Sequence, residues 1–207
     1  MTKISVVMAV TLQNYPNGAS NRREKFIRAV NSFIQQTYSN SELVIISDGC
    51  DMAEEVYIEH FSKYTNILFE KIEKAELFSG SVRNRGIAIA SGDWICYLDS
   101  DDFFASNHLE LLSNQITDDL DWCYSNDNVV TAYTSNENVT SWLRESWLAI
   151  GGVGTSTIIH KKNLNVSWPD GYGHDWGLVS ELINLTNKFT KIEGKYYVCH
   201  IPGSVDL

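Results

Sequence analysis

A run of four residues with oxygen-bearing side chains, Asp99-Ser100-Asp101-Asp102, is the strongest chemical signal in the sequence. Asp99 and Asp101 are two residues apart, so in extended backbone their carboxylates project to the same side. Such carboxylates repel each other unless a cation or a proton joins them. Carboxylate oxygens suit Mg²⁺ or Mn²⁺, ions that also bind diphosphates. Because the run directly follows the apolar segment WICYL, a metal site is favoured over a solvated turn.

Two upstream positions could bind the other parts of a nucleotide. Asp48 follows the apolar segment ELVIIS, and its carboxylate could accept an N–H from a base such as uracil. The alternative is an Asp-Gly turn that bonds its own backbone. Arg83 stands near the start of a predicted helix, where its guanidinium could bind phosphate. A solvated helix face is an equally good interpretation of this arginine.

Two downstream positions could complete a reaction site. Asp175, in GYGHDWGL, could be a general base that takes the proton from an acceptor hydroxyl, or a plain helix N-cap. His200, in YVCHIPGS, could be a third metal ligand, although a lone strand histidine is more often structural. Several tryptophans of the second half could stack on sugars or simply fill the core: Trp142, Trp147, Trp168 and Trp176.

The elements that must position these residues alternate between strand and helix in the first half. Continuous apolar runs predict buried strands over residues 4–10, 42–47 and 94–98, and partial alternation predicts a strand over 67–72. Helical spacing predicts helices from Asn21 to about Tyr38, over 51–63 and 80–90, and after a Ser106 cap. This order predicts an α/β fold with a Rossmann-like, mostly parallel central sheet flanked by helices. In such sheets ligands bind beyond the carboxyl ends of the strands, where Asp48 and Asp99 lie.

The second half is less regular and predicts a small antiparallel element. Short strands are expected over 121–125, 129–133 and 155–160, and a helix over 175–187. Segments 189–193 and 196–201 are interpreted as a closing pair of strands, and 135–153 as an active-site loop region. We expect one domain over 1–207, with a nucleotide-binding half (1–104) and an acceptor-binding half (105–207).

The composition of the chain argues against several classes of binding partner and site. The net charge of −10 disfavours a nucleic-acid partner, because binding to a phosphate backbone needs a basic surface. The four cysteines form no C-x-x-C pair, which argues against a cysteine zinc site and for reduced thiols. No stretch is long and apolar enough to span a bilayer. We therefore expect a cytoplasmic chain, and docking at the inner face of the membrane is compatible with this. The sequence does not indicate an oligomeric state.

Three segments in order give the chain a family resemblance: ISVVMAV, FIRAVNSFIQQTYSNSELVIISDGC and SVRNRGIAIASGDWICYLDSDD. With these segments the chain resembles the family 2 glycosyltransferases of the GT-A fold. GHDWGL is similar to the family's later acidic-aromatic motif, and CHIPGS to its terminal histidine segment. The resemblance implies transfer of a sugar from a nucleotide-diphosphate donor, with a UDP-sugar first among the candidates, to a hydroxyl of a glycan or lipid-linked acceptor.

The resemblance also implies roles for single residues. Asp48 would contact the uracil, and Arg83 the base or the diphosphate. Asp99 would touch the ribose or the metal, Asp101 would ligate the metal, and His200 would help to hold the metal or the diphosphate. The metal would be Mn²⁺ or Mg²⁺, which stabilises the charge growing on the leaving group.

The implied reaction is an inverting, single-displacement hexosyl transfer in surface polysaccharide synthesis, with Asp175 as the base. Two departures stand out. Ala9-Val10-Thr11 replaces the usual Pro-Thr-Tyr before a longer loop, in which Tyr15 could stack on the base, and His174 stands where the family usually has glutamate.

Two other functions remain as alternatives. A sugar-nucleotidyltransferase would normally carry a glycine-rich basic loop after the first strand, and TLQNYPNGASNRR has only one glycine. A catalytically inactive nucleotide-sugar-binding module would not need a base at Asp175.

Overall fold

The computed structural model describes residues 2–14, 18–75, 79–133, 139–171, 173–192, 198–200 and 206. Its strands are β1 Ile4–Val10, β2 Ser41–Asp48, β3 Ile67–Ile72, β4 Trp94–Tyr97, β5 Phe103–Phe104, β6 Trp122–Ser125, β7 Asp127–Tyr133, β8 Val139–Arg144, β9 Ile158–Lys161, β10 Phe189–Ile192 and β11 Val198–His200. Its α-helices are α1 Arg22–Ile34, α2 Asp51–His60, α3 Gly80–Ile89, α4 His108–Gln115 and α5 His174–Leu185.

A seven-stranded sheet in the order β10-β6-β9-β4-β1-β2-β3 organises the chain. Strand β1 is paired in parallel with β2 and β4, and β2 in parallel with β3. Strand β9 is antiparallel to both β4 and β6, and β10 is parallel to β6. The predicted α/β fold with a mostly parallel sheet and flanking helices is therefore confirmed.

Both faces of the central strands β1, β2 and β4 are buried, as their continuous apolar runs predict. Successive side chains of a strand point to opposite faces, so Val6 and Met8 of β1 pack with Phe26 of α1, whereas Val7 packs with Val82 of α3. Helices α1, α2 and α4 cover the first face, and α3 and α5 cover the second. No helix in the described part of the chain is both long and apolar enough to cross a membrane.

A second, four-stranded sheet has the order β5-β11-β7-β8. Two of its pairings are antiparallel and the β11–β7 pairing is parallel. The small antiparallel element expected in the second half is thus present. The expected closing pair of strands is wrong, because β10 lies in the large sheet and β11 in the small one. An apolar run predicts that a segment forms a strand, but it does not predict which other strand that segment pairs with.

Two further local predictions are corrected. Helix α4 begins at His108 after Asn107, not after a Ser106 cap, because the Ser106 carbonyl accepts a hydrogen bond from the Thr37 amide at the end of α1. The strand predicted over 155–160 begins only at Ile158, since Thr155–Thr157 forms a 3₁₀ turn. The backbone amide and the hydroxyl of Thr157, the last residue of this turn, both donate hydrogen bonds to the Gly154 carbonyl.

A buried glutamate fastens the amino-terminal end of the sheet. The Glu42 carboxylate accepts hydrogen bonds from the Ser5 hydroxyl at 2.6 Å, the Ser91 amide at 2.6 Å and the Lys3 ammonium at 2.9 Å. Burial alone would raise the pKa of Glu42, but these donors together with the Ser91 hydroxyl hold it down to about 2. Ionised Glu42 therefore stabilises the fold at neutral pH, and this contribution is lost as the pH falls from about 4.5 to about 2.

Replacing this carboxylate is expected to weaken the fold in a pH-dependent way. Glu42→Gln should lower the free energy of unfolding at pH 7 by about 3 kcal/mol, because each unit of pKa shift corresponds to about 1.4 kcal/mol. At about pH 3 the loss should be roughly halved, since part of the wild-type contribution is already gone. Urea unfolding at the two pH values measures both. Glu55→Gln, on the exposed side of α2, is the control, and an equal loss at both pH values would contradict the assignment.

Candidate active site

The carboxyl ends of the central strands open onto a cavity of about 200 Å³. We call it the donor cavity, after the nucleotide-sugar donor that the family resemblance implies. Asp48 at the end of β2, Arg83 of α3, and Asp99 and Asp101 beyond β4 all border it. The structure therefore brings together four of the site residues predicted from the sequence. Their shared position follows from parallel strands that end at one edge of the sheet.

Asp99 also borders a second cavity of about 240 Å³. We call it the acceptor cavity, after the acceptor hydroxyl that the family resemblance places near Asp175. Asp175 at the start of α5 borders it, together with Asp102, Arg144 and the glycine-rich segment 151–154. Asp99 borders both cavities, so the two spaces adjoin at this residue. A ligand in one cavity can therefore approach a ligand in the other at this residue.

Arg83 is a buried residue of the site that contacts several of its other side chains. It is 5 % exposed, and its Nη2 donates to Asp99 Oδ1 at 2.6 Å while its Nη1 donates to the Ser79 hydroxyl. Its guanidinium also lies 4.7 Å from the ring centroid of Trp168, within cation–π range. Binding of a base or diphosphate by Arg83 stays a prediction. Its donors already bind protein groups, so it also fixes the orientation of the Asp99 carboxylate.

The neighbours of Arg83 on α3 have structural roles. The Asn84 side chain bonds both the amide and the carbonyl of Trp168, and Arg85 is paired with Glu70 on the surface. The amino end of α3 is not free for phosphate, because Asp170 accepts the Ser81 amide at 3.0 Å. The sequence could not show this contact, which joins segments almost ninety residues apart.

Asp48 is 6 % exposed and held in place by the segment after β3. Its Oδ1 accepts the Ala75 amide at 2.6 Å, and its Oδ2 accepts the Lys74 ammonium. It is more than an Asp-Gly turn residue, because these contacts aim its carboxylate at the rim of the donor cavity. Contact with uracil stays a prediction.

The donor cavity fits a hard divalent cation, although few protein ligands face it. Asp99 and Asp101 both border the cavity. Among the described residues no three His, Cys, Asp or Glu side chains are grouped to hold a metal. Mg²⁺ commonly uses only one or two carboxylates and completes its shell with water and substrate phosphates. The carboxylate pair is compatible with such a site, and the metal itself stays a prediction.

Asp175 lies in a partly buried setting suited to a base. Its Oδ1 accepts the Thr155 hydroxyl at 2.5 Å and lies 3.3 Å from Nε2 of His174. Burial raises the pKa of Asp175, the Thr155 hydrogen bond opposes this, and the nearby Asp99 carboxylate adds to it. The side chain keeps 34 % of its surface exposed, which moderates these effects. A carboxylate with a raised pKa is a better proton acceptor near neutral pH.

The 3₁₀ turn before β9 supplies site residues that the sequence did not reveal. Its Ser156 hydroxyl accepts the Asp99 amide at 3.0 Å and donates to Asp102 Oδ2 at 2.9 Å. Asp102 is 2 % exposed, so of the acidic run it is the member that anchors the loop internally. Three consecutive hydroxyl residues, Thr155 to Thr157, were the available signal, since such side chains favour local turns over regular strands.

Two predicted contributors cannot be placed. The backbone of His200 is in β11, paired with Val129, but its side chain lies outside the described residues, and so does Tyr15. Ligation of a metal by His200 and stacking by Tyr15 stay predictions.

The family model for glycosyl transferase family 2 matches residues 19–178, about three quarters of the chain. This range contains Asp48, Arg83, Asp99, Asp101 and Asp175. The chain belongs to glycosyl transferase family 2.

Curated glycosyltransferases resemble the chain in sequence. It is 33 % identical over 99 residues to the putative glycosyltransferase EpsH of Bacillus subtilis, covering 47 % of this chain and 28 % of that protein. It is 24 % identical over 177 residues to WfgD of Escherichia coli, named as a UDP-Glc:α-D-GlcNAc-diphosphoundecaprenol β-1,3-glucosyltransferase, covering 81 % of this chain and 68 % of WfgD. The chain thus spans less than a third of the length of EpsH.

A solved structure shows the same fold. Residues 1–349 of Staphylococcus aureus TarS, crystallised with UDP-GlcNAc, superpose with a TM-score of 0.75 at 15 % identity. The match covers 97 % of this chain and 58 % of that one. At this identity the likeness establishes the GT-A fold and no finer property.

Proposed function

We propose that this protein transfers a sugar from a nucleotide-diphosphate donor to a hydroxyl of a saccharide acceptor. The observation that carries the proposal is the meeting of the donor and acceptor cavities at Asp99, with Asp101 on the donor side and Asp175 on the acceptor side. A transferase needs two substrate spaces that meet at the reacting carbon. A binding module needs only the first.

The residues divide the chemistry between them. An acceptor hydroxyl in the acceptor cavity would give its proton to Asp175, whose carboxylate Thr155 orients. The acceptor oxygen attacks the anomeric carbon, and the bond to the nucleotide diphosphate breaks with the electron pair leaving on the diphosphate. Asp99 and Asp101 would hold Mn²⁺ or Mg²⁺, which when bound stabilises that negative charge. One base and one displacement give inversion at the anomeric carbon.

The chemistry of relatives suggests the substrates. The name of WfgD specifies a UDP-Glc donor and an acceptor linked to diphosphoundecaprenol, and TarS was crystallised with UDP-GlcNAc. We propose a UDP-sugar donor, a glycan or lipid-linked saccharide acceptor, and a place in surface polysaccharide synthesis. Acceptors of this kind would bring the protein to the inner face of the membrane.

Release of UDP tests the proposal. The protein is incubated with Mn²⁺ and UDP-glucose, UDP-GlcNAc or UDP-galactose. The concentration of free UDP is then measured, because slow transfer of the sugar to water or to an added saccharide releases UDP. Release of UDP that EDTA abolishes is the expected result. Tight UDP binding without release from any donor would support the binding module instead. Release of pyrophosphate from a sugar phosphate and UTP would support the nucleotidyltransferase.

An exposed tryptophan beside the acceptor cavity is expected to bind the acceptor. Four large apolar side chains between Trp142 and Ile150 are exposed, a concentration that marks a binding surface. Among them Trp147 is 57 % exposed and lies over Gly152, where any Cβ would approach its indole to 2.9 Å. The next residue, Val153, borders the acceptor cavity, so this indole lies near that cavity.

Trp147→Ala should therefore raise the KM for a saccharide acceptor about tenfold, because an aromatic stacking partner contributes ~1 kcal/mol or more. The affinity for UDP should not change. Trp147→Phe keeps an aromatic face and should lose less. Ile58→Ala, a similarly exposed apolar residue on α2, is the control. Weaker UDP binding in Trp147→Ala would place the indole at the donor instead.

A further inference from the structure

One histidine connects the candidate base to the buried arginine. Nε2 of His174 lies 3.3 Å from Asp175 Oδ1 and 3.3 Å from Arg83 Nη1. Nδ1 of the same ring lies 3.1 Å from the Gly171 carbonyl oxygen. The imidazole is therefore fixed at both nitrogens, with its Nε2 edge turned toward the base.

These contacts assign the tautomer of the resting ring. A carbonyl oxygen only accepts, so Nδ1 carries a hydrogen that it donates to Gly171. A guanidinium only donates, so Nε2 presents its lone pair to Arg83. Neutral His174 thus has an unprotonated nitrogen 3.3 Å from the carboxylate of Asp175.

We propose that His174 is a positioning residue that receives the reaction proton from Asp175 and passes it to water. The inference rests on the proposed function, in which Asp175 takes the proton of the acceptor hydroxyl. Once Asp175 is protonated, its O–H can take the place of Arg83 Nη1 as the donor to Nε2. Imidazole is suited to this exchange at neutral pH.

The steps balance without any co-reactant. The O–H bond of the acceptor breaks and an O–H bond forms on Asp175. That bond then breaks as an N–H bond forms on Nε2 of His174, which becomes an imidazolium while Asp175 returns to its carboxylate. The imidazolium finally gives its proton to solvent, which the 19 % exposure of its side chain allows.

Charged groups of opposite sign face the ring. Among the described groups, Arg83 of α3 faces Nε2 and opposes a positive charge there, whereas Asp175 on its own helix favours it. Asp99, beyond Arg83, neutralises part of the arginine's charge. A proton on Nε2 would also remove the acceptor for Arg83 Nη1.

Two substitutions distinguish a role of His174 in proton transfer from a role only as a hydrogen-bond bridge between Arg83 and Asp175. Glutamine keeps an oxygen that can accept from Arg83 but cannot take up a proton, so His174→Gln should slow UDP release from the active UDP-sugar about tenfold or more. UDP binding measured by calorimetry should stay within about twofold. His174→Ala should be slow as well, and added imidazole should restore part of its rate in proportion to its neutral form. Normal turnover in His174→Gln, or no rescue of His174→Ala, would overturn the proposal.

Nitrogen NMR of ¹⁵N-histidine-labelled protein tests the geometry without any turnover. The signal that disappears in His174→Gln should show the Nδ1–H tautomer at high pH, and its titration should move in Asp175→Asn. An Nε2–H tautomer, or a titration indifferent to Asp175, would refute the relay even in an active enzyme. Lack of UDP release in wild-type protein would instead count against the proposed function, so the two failures are distinguishable.

Discussion

Asparagine in place of Asp175 is expected to lower turnover by about 10²–10⁴-fold, the usual contribution of a general base. Asparagine has nearly the same shape and can still accept the Thr155 hydroxyl bond, so the site should keep its geometry. It cannot take the proton of the attacking hydroxyl. Binding of UDP with Mn²⁺ should be nearly unchanged, because Asp175 lies on the acceptor side. UDP release under saturating donor, together with calorimetric titration of UDP, measures the two effects.

The same substitution should not destabilise the protein at neutral pH. A carboxyl group with a raised pKa in the folded state binds its proton more tightly there than in the unfolded chain. Its ionisation therefore reduces stability as the pH rises through that pKa. Asp175→Asn should unfold at the same urea concentration as wild type or a higher one at pH 7. A less stable variant with lost activity would point to a structural N-cap role.

Asparagine in place of Asp101 is expected to abolish the metal-dependent part of nucleotide binding. A ligand at a hundredfold excess over its dissociation constant raises the free energy of unfolding by about 2.7 kcal/mol. In wild type the thermal shift produced by UDP should increase when Mn²⁺ is added. In Asp101→Asn this increase should disappear, because one of the two carboxylates proposed to hold the metal has lost its charge.

A matched control makes this result specific. Asp118→Asn removes one charge from an exposed aspartate outside the donor cavity, so the response to Mn²⁺ should persist. A full response to UDP and Mn²⁺ in Asp101→Asn would refute the metal assignment at this residue. EDTA should reduce the UDP shift of wild type to the level of the variant.

The central sheet was predictable because its signal is local. Each buried strand of the first half is a continuous apolar run, and the acidic residues stand where those runs end. The rule that parallel strands end at one edge then places Asp48 and Asp99 together without knowledge of their contacts. Five predicted site residues, Asp48, Arg83, Asp99, Asp101 and Asp175, do border the two cavities.

The contacts that orient those residues were not predictable. The Thr155 hydroxyl reaches Asp175 across twenty residues, and the Ser156 hydroxyl reaches Asp102 across fifty-four. No spacing rule links such positions, because the fold of the intervening chain decides where they meet. The place of His174 beside Asp175 is visible in the sequence, whereas its contact with Arg83 spans ninety-one positions.

The Glu42 cluster has a consequence for how this architecture can diversify. Glu42 lies at the start of β2, about 20 Å along the strand from Asp48 at its end. Glu42 and its hydrogen-bond partners, which stabilise the sheet, are thus separate from the residues that face the two cavities. Loops at the carboxyl end can be lengthened or exchanged without breaking the hydrogen bonds of Glu42. Such a division lets evolution alter substrate preference at one end while the other keeps the scaffold folded.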